Sequence, residues 1–534
     1  MPDILLIQPP VRDFYLTAKR TIPYGLACIA AALKTAGFSV DIFDSLATAK
    51  SRIVVLPAEM DYLKEYYPKP DISPFALFHH FKHFGYSFEH IGKIARESGA
   101  FLIGISSLFT AYGSEAETTA RIVKKFHPNC LVVLGGHHPT AFPEKVMECE
   151  AVDFVLRGEG EVGMPLLARV IRNSVSGIEN IPGIVFRKAD KSLHIGEPAI
   201  MDNPEDYPLP AMDLVKNSFY RRGKRGGAVI VASRGCPMKC SYCSLSSSKY
   251  RRRSVESVIR EIEIAVTCHD AGFIDFEDEN LSLEREWFIK LLYEIKTRFG
   301  ASALELRAMN GLFPPSLDEE VILLMKEAGF KTLNLSVGST SAEQLRRFRR
   351  PDVRKSLETV ILLAEKYGLN TVCYVIAGAP GQSAEDSLSD LFYFARKKAI
   401  VGVSVFYPAA GSADFESAEQ NKILPEYFSL MRSSAFPISR NRLETVTILR
   451  LARILNFIKS LDSEGISLPL PSDENIAEIG NDRRAIGIRL LSRFLHDGRI
   501  RGMTTEGEVF EHRISGELTE KFIRNIILSA HSAL

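Results

Sequence analysis

The sequence predicts an α/β protein made of three successive parts: a doubly wound sheet, a partial barrel and a mostly helical carboxy-terminal domain. Two stretches of the chain alternate short apolar runs with helical patterns, and a proline-rich connector separates them. Beyond residue 412 the pattern turns helical. Because alternating strands and helices form parallel sheets covered by helices, both stretches are expected to be α/β units.

The first 190 residues have the pattern of a doubly wound (Rossmann-like) domain. Near-continuous apolar runs are typical of parallel strands that are buried on both faces. The candidate strands are Ile4–Ile7, Val40–Phe43, Phe101–Ile105, Leu131–Leu134 and Val152–Leu156. Helical patterns such as Gly25–Ala36 and Ser114–Phe126 lie between them. The order β-α-β therefore predicts a domain over 1–190.

Two irregular segments flank this pattern. Residues 50–92 are rich in proline and tyrosine and are expected to be an insertion with local helices, including three histidines at helical spacing: His79, His80 and His83. Ordinary packing or solvent exposure explains these histidines better than metal binding. Residues 191–226 predict a polar linker that ends in the basic run Arg221–Arg225, for which a solvated face is the simplest interpretation.

Residues 227–412 predict a partial (β/α)6 barrel. Six strand-like segments with five intervening helical patterns are too few for a complete eight-fold barrel, and sites in such folds lie at the carboxyl ends of the strands. The strand-like segments are Ala228–Ser233, Phe273–Glu277, Ala303–Arg307, Thr332–Val337, Thr371–Ile376 and Gly402–Phe406. Residues 413–534 then predict a helical capping domain through Thr445–Leu461, Arg483–Leu495 and Glu517–Ser529.

Composition excludes several classes of protein. The 534 residues carry 66 basic and 65 acidic side chains, which argues against a nucleic-acid binder, because such proteins have a basic excess. We expect no integral membrane segment, since no run approaches ~18 apolar residues, and no signal peptide is visible at the start. Eight cysteines in so long a chain do not make a disulfide scaffold, so a reducing cytoplasm is expected.

The strongest motif is a cysteine triplet, Cys236, Cys240 and Cys243, in the spacing CxxxCxxC directly after the first strand of the second series. Three thiolates on one tight loop can bind three irons of a 4Fe-4S cluster and leave the fourth iron without a protein ligand. A structural zinc site needs four ligands, and the other five cysteines form no second CxxC. Zinc binding and inert thiols remain the alternatives at this point.

The cysteine loop, its place after strand one and the aromatic Tyr242 before the last cysteine resemble the radical S-adenosylmethionine (radical SAM) superfamily. The resemblance covers about residues 226–412. It implies that Cys236, Cys240 and Cys243 bind the cluster and that the open iron chelates the amino and carboxylate groups of SAM. Reductive cleavage of SAM would then give a 5′-deoxyadenosyl radical.

Further positions of the barrel fit this resemblance. Glu277, in the acidic run that closes strand two, is expected near the SAM methionyl group, although helix capping by Asn280 and Ser282 is an alternative. Gly378 and Pro380 resemble the GxPG turn near adenine, although a plain tight turn is also compatible.

One departure from the family pattern concerns the loop after strand four. Relatives carry a glutamate near the SAM ribose there, whereas this chain reads Gly338-Ser339-Thr340-Ser341. We therefore carry no ribose-binding glutamate over to this chain.

The amino-terminal domain resembles the cobalamin-binding fold. Ser106 and Leu108 follow one strand, and Gly135 and Gly136 follow the next, in the pattern SxL…GG. Small residues there would let a nucleotide tail pass between strand and helix. The loop after the first strand, Gln8–Phe14, contains no histidine. The resemblance therefore implies a cobalt that is not ligated by histidine on its lower face.

Together these features predict a cobalamin-dependent radical SAM enzyme with a 4Fe-4S cluster, SAM and cobalamin as cofactors. The expected reaction is transfer of a methyl group from SAM, via methylcobalamin, to an unactivated carbon of a small-molecule substrate. An external electron donor of flavodoxin or ferredoxin type is expected as a partner, and no nucleic acid. A cobalamin-assisted cyclase or rearrangement enzyme is the first alternative, and a non-catalytic cobalamin and iron-sulfur sensor or electron carrier is the second.

Overall fold

The computed structural model describes residues 1–14, 22–78, 80–472 and 482–531. The strands are β1 Ile4–Gln8, β2 Val11–Asp13, β3 Val40–Asp44, β4 Ser51–Ile53, β5 Lys82–Phe84, β6 Leu102–Ser106, β7 Leu131–Gly135, β8 Phe154–Leu156, β9 Ile184–Arg187, β10 Leu193–Ile195, β11 Arg221–Arg222, β12 Arg225–Ile230, β13 Ser233–Arg234, β14 Arg251–Arg252, β15 Ala271–Phe276, β16 Glu305–Ala308, β17 Thr332–Gly338, β18 Asn370–Ala377, β19 Ile400–Val405, β20 Arg501–Met503 and β21 Val509–Glu511.

The helices alternate with these strands along most of the chain. They are α1 Tyr24–Thr35, α2 Phe88–Ser98, α3 Gly113–Phe126, α4 His137–Ala141, α5 Pro143–Met147, α6 Gly160–Asn173, α7 Val255–His269, α8 Arg285–Phe299, α9 Glu319–Ala328, α10 Ala342–Arg347, α11 Arg354–Lys366, α12 Ala384–Ala395, α13 Ala413–Gln420, α14 Arg442–Ser463, α15 Arg483–Asp497 and α16 Gly516–His531. None of these helices, within the described residues, is both long and apolar enough to cross a bilayer.

The chain divides into two compact units. The first contains residues 1–54, 81–232 and 251–274, and the second contains residues 55–80, 233–250 and 275–534. The domain boundaries that we predict from the sequence stay predictions.

The first unit is built on a seven-stranded sheet of order β10-β9-β8-β7-β6-β1-β3. Strands β3, β1, β6, β7 and β8 run parallel, and β9 and β10 extend the sheet in antiparallel fashion. One apolar core contains residues of α1 and α6, and a second contains residues of α2 and α3. The predicted doubly wound sheet is therefore confirmed. Strand order reverses next to β1, and open α/β sheets bind ligands at such a reversal.

The insertion differs in part from the expected local helices. Strand β5 pairs with both β2 and β4 to form a small antiparallel sheet of order β2-β5-β4. Among the described residues of 50–92, the helical ones are the 3-10 helix Ala58–Glu65 and the start of α2. His83 lies on β5, buried, with its Nε2 3.0 Å from the carbonyl oxygen of Tyr86, so the helical spacing of the histidines was misleading. His79 lies outside the described residues.

The basic run Arg221–Arg225 is mostly exposed, as the predicted solvated face requires, and it is also part of a sheet. Its ends form an antiparallel hairpin of β11 and β12. The Arg221 and Arg225 guanidinium groups lie 3.5 and 3.7 Å from the carboxylate of Asp270, and Arg222 lies over the ring of Phe273.

The second βα series forms the six strands of the predicted partial barrel, β12, β15, β16, β17, β18 and β19. One sheet has the order β11-β12-β15-β16 and another the order β17-β18-β19. Strand β17 pairs in parallel with β18, which pairs in parallel with β19. Parallel bridges from Leu306 to Phe330 and from Leu312 to Leu335 join β16 to β17. The carboxyl ends of these strands carry the site.

Helices dominate the carboxy-terminal region, as expected. The long helix α14 packs on α12 and β19, and α16 packs on α12 and α14. The antiparallel pair β20–β21 is the one addition to this pattern among the described residues.

Candidate functional site

The cysteine loop follows β13 and folds back on itself within the second unit. Gly235 has a φ of +81°, and a Cβ there would lie 2.3 Å from the carbonyl oxygen of Lys249. Only glycine permits this approach. The Cys236 amide donates to Ser248 Oγ at 2.9 Å, and the Ser247 amide donates to the Met238 carbonyl at 2.8 Å. These bonds close the loop around the three cysteines.

All three cysteines of the loop are free thiols. Cys240 is buried, and Cys236 and Cys243 are half-buried. Burial raises the pKa of the Cys236 and Cys243 thiols, so a metal must displace their protons to bind the thiolates. No group of three or more His, Cys, Asp or Glu side chains, within the described residues, is placed to hold a single metal ion. Cluster cysteines bind separate irons, so they need not converge on one point.

Arg350 links the cysteine loop to β17, and the sequence analysis missed it. Its Nη1 lies 3.6 Å from Cys240 Sγ and donates to Tyr242 Oη at 3.1 Å. Its Nη2 donates to the carbonyl and to Oγ of Ser336, and its Nε donates to the Val337 carbonyl at 3.0 Å. All three guanidinium nitrogens of Arg350 are thus engaged, and they hold a positive charge beside a cysteine sulfur. The basic run Arg346–Arg350 was the sequence signal for this residue.

Tyr242 lies at the inner side of the loop. Its ring packs edge-on against Phe348 with ring centroids 5.1 Å apart, and burial raises the pKa of its hydroxyl. The hydroxyl therefore stays protonated and accepts the hydrogen bond from Arg350.

The loop after β17, where the family glutamate is missing, is held by a different carboxylate. Asp390 on α12 is fully buried. It accepts hydrogen bonds from Ser339 Oγ at 3.1 Å and from the Thr340 amide and Oγ1 at 2.5 and 2.6 Å. Burial raises the pKa of Asp390 to about 6. Through these hydrogen bonds, Asp390 holds the Ser339-Thr340 segment in position.

Substitution of Asp390 by asparagine tests this arrangement. The folded-state pKa of Asp390 lies above its usual 3.8, so the folded protein holds this proton more tightly than the unfolded chain. The stabilisation is present below pH 3.8 and is lost as pH rises through about 6. We expect wild type to lose on the order of 2–3 kcal/mol relative to Asp390→Asn over this window. Urea unfolding of both proteins at several pH values measures the difference, and a difference independent of pH would contradict the assignment.

The turn after β18 places Gly378 and Pro380 at the end of the strand. Gly378 has a φ of +79°, and a Cβ there would lie 2.6 Å from Thr445 Oγ1. The Gln382 side chain accepts from the Ala379 amide at 3.1 Å and donates to the Ile376 carbonyl at 2.7 Å. The turn is thus a rigid backbone surface with Pro380 half-buried on it.

The acidic run after β15 divides into exposed and buried residues. Glu277 is exposed, and its carbonyl accepts from Asn310 Nδ2 at 2.8 Å. Asp278 is buried and accepts from Ser233 Oγ at 2.5 Å, which ties the strand end to the start of the cysteine loop. The capping alternative is wrong: α8 begins after Glu284, and neither Asn280 nor Ser282 caps it.

Two arginines after the cysteine loop are paired inside the first unit. Arg251 makes two hydrogen bonds to the Glu159 carboxylate, at 2.8 and 3.0 Å. Arg253 pairs with the buried Glu261. Burial raises the pKa of Glu261, and the charge of Arg253 offsets only part of this rise. These arginines anchor the start of α7 rather than forming a solvated run.

The predicted cobalamin residues lie at the carboxyl ends of β6 and β7, beside the reversal of strand order. Ser106 is half-buried, and Leu108 is 43% exposed. The neighbouring Ser107 is buried, and its hydroxyl has no hydrogen-bond partner among the described residues. An apolar side chain facing solvent beside an unsatisfied buried hydroxyl suits a large, amphipathic ligand.

The two glycines after β7 are not equivalent. Gly136 has a φ of +118°, and a Cβ there would lie 2.5 Å from the Ser107 carbonyl oxygen. At Gly135 the nearest atom to such a Cβ is the Leu156 carbonyl oxygen, at 3.7 Å. Gly136 therefore serves the turn itself, whereas a Cβ at Gly135 would make only an ordinary van der Waals contact.

The loop that lacks a histidine forms β2. Arg12 Nε donates to the buried Glu115 at 2.8 Å, and the Tyr112 hydroxyl donates to Asp13 at 2.6 Å. The residues that replace the histidine are thus engaged in ion pairing and hydrogen bonding.

Two family models match the chain. The radical SAM superfamily model matches residues 230–391, and the B12 binding domain model matches residues 76–168. Each match coincides with one of the two predicted cofactor domains.

Curated relatives extend these matches. The chain is 28% identical over 344 residues to an uncharacterized methyltransferase of Pyrococcus horikoshii, covering 63% of this chain and 73% of the relative. It is 25% identical over 435 residues to cytidylyl-2-hydroxyethylphosphonate methyltransferase of Streptomyces wedmorensis, covering 73% and 76%. It is also 28% identical over 300 residues to the anaerobic magnesium-protoporphyrin IX monomethyl ester cyclase of Rubrivivax gelatinosus, covering 53% and 52%.

Among solved structures, the radical SAM methyltransferase TsrM of Kitasatospora setae, with cobalamin and a [4Fe-4S] cluster bound, superposes with a TM-score of 0.60 at 19% identity and covers 79% of this chain and 78% of that one. This likeness concerns the fold. The two domain matches show that the chain contains a B12-binding domain and a radical SAM domain, the latter being the domain that uses a 4Fe-4S cluster and SAM.

Proposed function

We propose that this enzyme transfers a methyl group from SAM, by way of methylcobalamin, to an unactivated carbon of a small molecule. The observation that carries the proposal is the loop of Cys236, Cys240 and Cys243 in a radical SAM domain that follows a B12-binding domain. The methyltransferase names of two matched relatives support it.

In this proposal Cys236, Cys240 and Cys243 bind three irons of the cluster, and the fourth iron is open to SAM. The donor set fits, since three free thiols lie on one closed loop. Arg350 places a positive charge 3.6 Å from Cys240 Sγ, where it would compensate part of the negative charge of a bound cluster.

SAM would lie against the carboxyl ends of the barrel strands. Glu277 offers acceptors to its ammonium group, Gly378 and Pro380 offer a flat backbone surface to its adenine, and Tyr242 packs behind the cluster loop. Ser339, where relatives carry the ribose carboxylate, is fully buried and donates its hydroxyl to Asp390, so we assign ribose binding to no residue of this loop.

Cobalamin would bind at the reversal of strand order in the first unit. Gly135 gives room to its nucleotide tail, Gly136 forms the turn beside it, Ser106 offers a hydroxyl, and Leu108 offers an apolar surface. When bound, the three cofactors supply the methyl group, its carrier and the radical. The chain's own residues position these groups and exclude water, and the proposal requires no side chain as acid or base.

Replacement of Arg350 by glutamine tests its role beside the cluster. A positive charge near the sulfur stabilises the more negative, reduced cluster. We expect a reduction potential on the order of 50 mV more negative, about 1 kcal/mol for one electron. A redox titration monitored by EPR measures it. Arg354→Gln is the matched control, because Arg354 is exposed and paired with Asp352. An unchanged potential with full iron content would contradict this role.

A cobalamin-assisted cyclase is the second candidate, favoured by the match to the Rubrivivax gelatinosus cyclase. Incubation of the reconstituted enzyme with methyl-labelled SAM separates the two. Label on the corrin supports methyl transfer. An unlabelled corrin in a preparation that forms 5′-deoxyadenosine removes the methyltransferase proposal and supports the cyclase.

The proposed surroundings of the enzyme follow from its cofactors. A low-potential cluster needs an external one-electron donor of flavodoxin or ferredoxin type, and free thiols suit a reducing compartment such as the cytoplasm.

A further inference from the structure

A short basic segment lies directly against the cysteine loop. It runs from Arg346, near the end of α10, to Arg350. The Ser241 amide donates to the Phe348 carbonyl at 3.0 Å, and Ser241 Oγ donates to the Arg347 carbonyl at 3.2 Å. The loop that carries the cysteines is therefore bonded to the backbone that carries these cations.

The side chains of this segment face two ways. Arg350 points inward to Cys240 Sγ, whereas Arg346, Arg347 and Arg349 are exposed. The segment thus carries exposed cations within one to four residues of the arginine that contacts a cysteine sulfur. Lys239, within the cysteine loop itself, is also exposed.

These exposed cations carry a local positive excess. We define the cluster-side basic surface as Lys239, Arg346, Arg347 and Arg349. Within the described residues, only Arg347 of the four forms an ion pair, with the exposed Glu343. Asp414 also interacts electrostatically with Arg349, but its carboxylate accepts a hydrogen bond from Ser241 Oγ. The surface stands out because the whole chain has a net charge of only +1.

We propose that the cluster-side basic surface is the docking site of an acidic one-electron carrier protein of the flavodoxin or ferredoxin class. The proposal rests on the proposed function, in which the cluster is reduced before SAM is cleaved. One electron leaves the carrier, which is oxidised by one electron, and enters the cluster. The same electron then goes to the SAM sulfonium as one carbon–sulfur bond breaks, which gives methionine and the adenosyl radical.

The physical chemistry of such encounters suits this surface. Electron-transfer complexes are small and transient, and complementary charge mainly raises their association rate. Salt screens this steering over a Debye length of about 8–10 Å near physiological ionic strength. The reduction rate should therefore depend on both ionic strength and the charge of the four side chains.

The test uses the anaerobically reconstituted holoenzyme and purified, reduced flavodoxin and ferredoxin. Stopped-flow absorbance follows cluster reduction at several salt concentrations. We expect Arg346→Glu/Arg349→Glu to lower the bimolecular rate constant roughly 10- to 100-fold and to flatten its salt dependence. Reduction by dithionite, a small chemical reductant, should be unchanged. Lys398→Glu is the matched control, because Lys398 is 76% exposed and precedes β19, at the opposite end of the strands.

The outcomes separate the two proposals. If dithionite reduces the cluster but yields no 5′-deoxyadenosine with SAM, the proposed function fails. If dithionite chemistry is intact and the double variant accepts electrons from both carriers at the wild-type rate, the docking site is wrong. If the double glutamate variant loses iron, the same rate is measured on Arg346→Gln/Arg349→Gln instead. The salt dependence of the wild-type rate then gives a second test that needs no variant. A wild-type rate independent of salt would also overturn the proposal.

Discussion

Alanine at Cys236, Cys240 or Cys243 is expected to abolish SAM cleavage. Each cysteine is assigned its own iron, and the loop offers no spare thiol, since the other five cysteines lie elsewhere in the sequence. Iron and sulfide should fall from about four of each per chain to less than about one. Anaerobic iron and sulfide analysis, the absorption of the cluster and the yield of 5′-deoxyadenosine measure the loss.

A matched control comes from the same chain. Cys268 is exposed and lies on α7, so Cys268→Ser should keep full iron and full activity. Circular dichroism confirms that each alanine variant is folded. An alanine variant that retains a complete cluster would show that the loop is not the ligand set.

Valine at Gly135 is expected to have the second largest effect, on cobalamin binding. A Cβ at Gly135 would meet only an ordinary van der Waals contact, at 3.7 Å, so we expect the free energy of unfolding to change by no more than ~1 kcal/mol. The space that the side chain takes is the space assigned to the nucleotide tail. We expect cobalamin affinity to fall about 100-fold, which corresponds to ~3 kcal/mol.

Equilibrium binding of cobalamin, followed by absorbance, measures this effect alongside the melting temperature. Gly227→Val is the control, since a Cβ there also meets only ordinary contacts, at 3.5 Å. Gly136→Ala is less informative because the backbone at φ +118° would be strained. Wild-type affinity in Gly135→Val would place cobalamin elsewhere.

The strands and their order of appearance could be predicted because parallel strands are continuous apolar runs. Predicted Thr371–Ile376 lies within the observed Asn370–Ala377, and predicted Val40–Phe43 lies within Val40–Asp44. The sheet β2-β5-β4 could not be predicted, since it joins residues 11–13 to residues 51–53 and 82–84. Its short, polar strands have no apolar periodicity to identify them.

Some features of the candidate site could also be predicted from the sequence, and others could not. The cysteine spacing is local in sequence, so it could be recognised without a structure. Asp390 and Arg350 act over distances of 50 and 110 residues, on Thr340 and Cys240, and nothing in the sequence pairs them. Arg251 and Arg253 likewise pair with Glu159 and Glu261, which lie 92 and 8 residues away in the sequence. Long-range polar contacts are decided by the fold, not by local patterns.

The central feature of the proposed enzyme is one iron of the cluster that has no protein ligand and is open to SAM. EPR spectroscopy of the dithionite-reduced, reconstituted enzyme, recorded before and after addition of SAM, tests it most directly. We expect the spectrum of the reduced cluster to change when SAM coordinates the open iron. A complete cluster with an identical spectrum in the presence of saturating SAM would contradict the account.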